Sequence, residues 1–116
     1  MDNLLNYRIE NLIEHIDLVL SDTKDVSFEE LTQNSLLLRA TCFSIAHIGE
    51  MMVQLEKSLY EEFPNLPWQS ARKMRNVIVH DYKGAELDTI YLTIHNNLPE
   101  LKDMFLEILK NLSKAV

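Results

Sequence analysis

Apolar residues fall at intervals of three and four along the start of the chain: Leu4, Leu5, Ile9, Leu12, Ile13, Ile16, Val19 and Leu20. That spacing puts them on one face of an amphipathic helix from Asn3 to about Asp22. The polar run Ser21-Asp22-Thr23-Lys24-Asp25 breaks it. Ser27-Phe28-Glu29-Glu30 then reads Ser-x-x-Glu ahead of an apolar stretch, the signature of a capping box. Two arrangements fit the next stretch: a short helix leading into a longer one near Thr32 to Ser35, or one continuous helix. Leu36 to Leu59 is helical by pattern. Ala40, Phe43, Ile45, Ala46, Ile48 and Met52 make it apolar almost all round, which predicts the central and most buried helix. Gly49 lies inside it. A glycine there costs about 1 kcal/mol relative to alanine, so its position predicts close approach of another helix or of a ligand.

Pro64 and Pro67 interrupt the pattern, and Pro67 suits the first turn of the next helix. That helix is expected from Trp68 to near His80 or Tyr82, ended by Lys83-Gly84 with Gly84 in the C′ position. A last helical stretch starts near Glu86 and runs toward the chain end. Asn97 ahead of Pro99 predicts an N-cap, hence two helices or one kinked helix. The whole pattern predicts an all-α, up-and-down bundle of four to five helices, a single domain over residues 1–116.

Composition agrees. Two glycines in 116 residues disfavour turn-rich sandwiches and barrels, and 47% apolar residues exclude disorder. The lone Cys42 leaves no intrachain disulfide and no cysteine-built zinc site. No apolar run reaches about 18 residues, so no membrane span is expected, and the acidic amphipathic N-terminus is unlike a secretory signal. A cytoplasmic protein is the expectation. The net charge of −7 argues against a broad nucleic-acid surface.

The charges are unevenly distributed, however. Arg72, Lys73, Arg75 and Lys83 are four of the eleven basic residues, and only Asp81 opposes them in that window, a local balance of +3. With Arg75 as zero on a wheel of about 100° per residue, Asn76 falls near 100°, His80 near 140° and Tyr82 near −20°. Met74, Val77 and Ile78 fall on the opposite arc. One face therefore packs on the bundle, and the other presents a guanidinium, an amide, an imidazole and a phenol. Val79 falls inside the polar arc. Arg75 and His80, about 140° apart, do not stack directly but could converge from two sides of a groove or at the helix end. A basic island of this size suits one phosphate better than a long duplex.

This arrangement, Arg-x4-His-x-Tyr with Asn after the Arg, resembles the HepT-like branch of the HEPN superfamily, small helical ribonucleases of prokaryotic toxin–antitoxin modules. The likeness extends over Leu66-Pro67-Trp68, Met74-Arg75-Asn76, His80-Asp81-Tyr82, Gly84, Tyr91 and Asn97-Leu98-Pro99-Glu100-Leu101, with Ile48-Gly49-Glu50 in the long helix. Lys73, Lys83 and Tyr91 depart from it. The resemblance implies a homodimer that brings two motifs into one cleft. It also implies a minimal nucleotidyltransferase as antitoxin partner, able to transfer AMP to Tyr82. The residue types fit metal-free RNA cleavage. Histidine can take or give a proton near neutrality, and arginine offers a permanently charged fork to phosphate oxygens. In this reading Arg75 binds the scissile phosphate and His80 is the acid or base. Asn76 orients, Tyr82 completes the site or accepts AMP, and Arg72, Lys73 and Lys83 hold RNA phosphates. No cofactor is expected.

Other readings stay open beside it. The basic island could bind a nucleotide or a nucleotidyltransferase without catalysis, the bundle serving as scaffold. His47 and Glu50 form His-x-x-Glu, but di-metal bundles need a second such element, so no metal is expected there. Glu50 can instead pair with a motif cation. His15 and His95 read as surface or interhelix residues, Cys42 as an inert core thiol, and Met51-Met52 as part of a dimer face.

Overall fold

The computed structural model describes residues 3–76 and 85–114. The first apolar stripe forms α1 (Asn3–Asp22), burying Ile9, Leu12, Ile13, Ile16 and Val19. The polar break reverses the chain. Thr23 is buried there and its hydroxyl donates to the Val19 carbonyl at 2.7 Å. Asp25 takes φ 60°, a left-handed conformation that aspartate tolerates better than most residues.

The capping box forms as the sequence indicates. The Glu30 amide donates to Ser27 Oγ at 3.1 Å and the Ser27 amide to Glu30 Oε1 at 3.0 Å. It opens the short α2 (Phe28–Gln33), and Asn34 then serves two helices at once. Its amide donates to the Glu30 carbonyl, closing α2, while its side chain accepts from the Leu37 amide and opens α3 (Ser35–Leu59). Asn34 has φ −100° and ψ 91°, outside the helical region, so a short helix leads into a long one.

Helix α3 is central, with α1, α2 and α4 (Trp68–Arg75) against it. It buries Leu38, Thr41, Cys42, Ile45, Ala46, Ile48, Gly49, Met52, Leu55 and Leu59. It is not buried all round. Leu36 is 72% and Phe43 66% exposed, and Ala40 is exposed too. Its neighbours occupy one side and the flanks, and none of the described residues covers the remaining face. By length and mean hydropathy (1.3) α3 could cross a membrane, but its buried face shows it to be the core helix of the bundle.

The two prolines end the α3 pattern as expected. Buried Trp68 closes the loop between them, its indole N–H donating to the Phe63 carbonyl at 3.0 Å. Helix α4 ends at Arg75. Asn76 caps it with φ −94° and ψ 1°, its amide donating to the carbonyls of Lys73 and Met74. This corrects the expectation of one helix from Trp68 to near His80 or Tyr82: α4 stops at Arg75 because Asn76 leaves the helical region. His80, Tyr82 and the expected stop at Lys83-Gly84 lie outside the described residues.

The last stretch corrects one expectation. Asn97 is not an N-cap: α5 (Ala85–Leu92) runs through a π turn (Thr93–Asn97) straight into α6 (Leu98–Lys114). Pro99 has no amide to offer the carbonyl four residues back, and its ring would crowd that carbonyl. The wide turn answers this, with the Leu98 amide donating to the Thr93 carbonyl five residues earlier.

Long-range contacts set the directions. His15 meets His47 while Arg8 shares a cavity with Gln54, so α1 and α3 are antiparallel. Gly49 lies under Arg75 and Glu56 pairs with Arg72, so α3 and α4 are antiparallel as well. Helix α6 returns along α1, fixed by a 2.7 Å ion pair between Lys102 and Asp17. The result is an all-α, up-and-down bundle measuring 48 × 24 × 20 Å, with Ile16, Ile45, Met52 and Phe105 deep in its core.

Candidate functional site

The site is built on α4, and α4 is placed by α3. A Cβ added at Gly49 would sit 2.5 Å from the Arg75 amide nitrogen, 2.6 Å from the Ala71 carbonyl oxygen and 3.0 Å from the Arg75 Cα. The two helices therefore touch backbone to backbone at Gly49, which explains a glycine inside a helix. Ala71 and Met74 bury the other contacts of α4. Arg75 thus has a firmly located backbone, while its side chain is 40% exposed.

The three cations of the last α4 turn have different surroundings. Arg72 Nη2 donates to both carboxylate oxygens of Glu56 on α3, at 2.9 and 2.7 Å. Arg75 Nη1 lies 3.9 Å from Glu50 Oε1, too long for a hydrogen bond. Lys73 is exposed and lines a groove of about 260 Å³ with Ser70, Met74, Thr93 and Asn97, between α4 and the π turn. Cations in a final helical turn also complement the negative end of the helix dipole. Asn76, at the C-cap, is exposed.

The structure thus brings Arg72, Lys73, Arg75 and Asn76 together on one helix end. His80, Tyr82 and Lys83 lie outside the described residues. Glu50 meets the expected motif cation. Glu56, sixteen residues before Arg72, carried no signal in the sequence, because only the turn geometry joins them. Gln54 was missed as well. One turn beyond Glu50, its amide donates to Glu50 Oε2 at 3.3 Å.

The remaining candidates separate from this end. The rings of His15 and His47 meet at 4.8 Å, and a ring nitrogen of His15 is 2.9 Å from the Asn11 carbonyl oxygen. His47 and Glu50 line a cavity of about 250 Å³ with Arg8, Asn11, Met51 and Gln54. Among the described residues, no three His, Cys, Asp or Glu side chains are grouped so as to hold a metal ion. His95 stacks on Tyr91 at 4.2 Å between ring centres. Cys42 is fully buried, and burial pushes its thiol up to about 11. Met52 is buried and Met51 half-buried.

Fold and site together define an all-α protein whose cationic helix end is mounted on a glycine of the central helix. The family described as Ribonuclease HepT-like matches residues 10–108, nearly the whole chain. The chain belongs to this HepT-like family of the HEPN superfamily. Among similar proteins, "Putative RNase TTE0752" of Caldanaerobacter subterraneus subsp. tengcongensis is 30% identical over 102 residues, 88% of this chain and 91% of its own. "Putative RNase MJ0125" of Methanocaldococcus jannaschii is 28% identical over 104 residues, 90% of each. "Probable ribonuclease HepT" of Thermococcus cleftensis is 26% identical over 106 residues, 88% of this chain and 93% of its own. No solved structure matches.

Proposed function

We propose that the chain is a metal-independent endoribonuclease, the toxin of a prokaryotic toxin–antitoxin module, acting in the cytoplasm as one domain. The observation that carries this is Arg75: a guanidinium in a family of ribonucleases, fixed at its backbone by Gly49 and free of any hydrogen-bonded partner among the described residues. Arg75 binds the scissile phosphate, and Lys73 and Lys83 hold neighbouring phosphates. Arg72, already joined to Glu56, supports α4 and adds to the positive field. In the reaction a base takes the proton of the ribose 2′-hydroxyl. The 2′-oxygen attacks phosphorus, the bond to the 5′-oxygen breaks, and an acid protonates that oxygen. His80 is one of this pair, Asn76 orients it, and Tyr82 completes the site.

One motif contains one histidine, so the reading requires a homodimer that supplies the second. The uncovered face of α3 supports it. Leu36, Ala40 and Phe43 recur at helical intervals along that face, on the side of α3 that leads to Glu50 beside Arg75. The antitoxin is a nucleotidyltransferase. It transfers AMP from ATP to the Tyr82 phenolic oxygen with loss of pyrophosphate and of the phenolic proton, adding a negatively charged phosphate to the motif.

The test is His80→Ala. The variant folds as the wild type does but loses RNA cleavage and growth toxicity, and undiminished cleavage refutes the assignment. Cleavage by the wild type continues in excess EDTA. Mass spectrometry of the protein co-expressed with its genomic neighbour finds AMP on Tyr82.

A further inference from the structure

Two carboxylates of α3 face two arginines of α4, and the pairs differ in kind. Glu56 is 18% exposed and accepts from Arg72 at 2.7 and 2.9 Å, a closed ion pair. Glu50 is 44% exposed and stands 3.9 Å from Arg75, an open one. Both ends of the open pair are anchored. Gly49, the residue before Glu50, touches the Arg75 backbone, and Gln54 holds the other Glu50 oxygen at 3.3 Å. The backbones are fixed where α3 and α4 meet, and the side-chain tips rest 3.9 Å apart above that contact. A phosphate oxygen could approach the same guanidinium to about 2.8 Å and form the hydrogen bonds that Glu50 does not.

We infer that Glu50 is the resident counter-ion of Arg75, a positioning residue that holds the guanidinium over α3 and is displaced by the RNA phosphate. The inference rests on the assignment of Arg75 to RNA. Its consequence is opposite in sign to that of a structural residue: removing the Glu50 charge strengthens RNA binding. Arg72 has no such exchange, because its carboxylate already makes the short contacts that a phosphate would have to replace.

The experiment measures binding of a labelled single-stranded RNA oligonucleotide to full-length protein carrying His80→Ala, so that the probe stays intact. Glu50→Gln lowers Kd by about two- to fivefold at low salt, the span that an exposed ion pair allows, and the gain shrinks as salt rises. Arg75→Ala raises Kd, and in that background Glu50→Gln changes nothing. With His80 restored, Glu50→Gln lowers KM for cleavage by the same factor as Kd. If Arg75→Ala weakens binding while Glu50→Gln alone leaves it unchanged or weaker, the counter-ion role fails and the ribonuclease reading stands. Equal strengthening with and without Arg75 reduces the effect to net charge and overturns the inference. If Arg75→Ala has no effect on binding, the placement of RNA on Arg75 fails, and the inference with it.

Discussion

Replacing Gly49 with alanine adds one methyl group where α3 and α4 touch. The new carbon would stand 2.5 Å from the Arg75 nitrogen and 2.6 Å from the Ala71 oxygen, both backbone atoms that no rotamer change can move. Ordinary contact needs about 3.5 Å, so the last turn of α4 must retreat by about 1 Å. Two terms oppose each other. Alanine in a helix interior gains about 1 kcal/mol over glycine. Overpacking a close contact costs about 1–3 kcal/mol. Alanine improves α3 in isolation, so any net loss reports the contact itself. The expected result is destabilisation by up to about 2 kcal/mol, measured by urea denaturation followed by circular dichroism. RNA cleavage falls further than stability does, because a displacement of about 1 Å in a positioned catalytic group can cost about 100-fold in rate. A Gly49→Ala variant more stable than wild type, with cleavage intact, would refute the close approach and with it the mounting of Arg75 on α3.

Other outcomes depend on single groups. Hydrogen bonds from the Ser27 backbone and then its side chain hold the Glu30 carboxyl below its ordinary 4.5. A depressed folded value stabilises above the ordinary one, and that stabilisation is lost as pH falls through the folded value. Glu30→Gln should therefore lose less stability than wild type between about pH 6 and pH 3, and parallel urea midpoints over that range would argue against the capping box. The Cys42 thiol, buried and pushed up to about 11, should resist a thiol reagent at about pH 8 in the native protein and react fully in urea.

Features that depend on local chain chemistry were legible in the sequence. Ser27 with Glu30, and Trp68 after Pro67, act through residues a few positions away, and helix boundaries fall where those signals place them. Gly49 was legible in part. Its cost in a helix announces a close neighbour but cannot say that the neighbour is the backbone of the very arginine in the motif. Phe43 and Leu36 show the limit of counting apolar positions. A helix apolar all round is buried only as far as there are elements to cover it. The Asn97-Pro99 signal marked the right place, and of its two readings the Asn97 N-cap fails while one irregular helix forms, because a proline defect can be relieved by widening a turn as well as by ending a helix. Glu56 could not have been found from spacing, since its partner belongs to another helix.

The π turn also settles how the last third of the chain keeps its phase. Core positions there fall at Ile90, Ile94, Leu98, Leu101, Phe105 and Ile108. The steps are 4, 4, 3, 4 and 3, so five steps cover 18 residues, the 3.6-residue period of an α-helix. One buried seam therefore crosses the wide turn unbroken, from α5 into the face that α6 turns toward α1. The turn at Thr93–Asn97 takes in the proline without interrupting what the core sees.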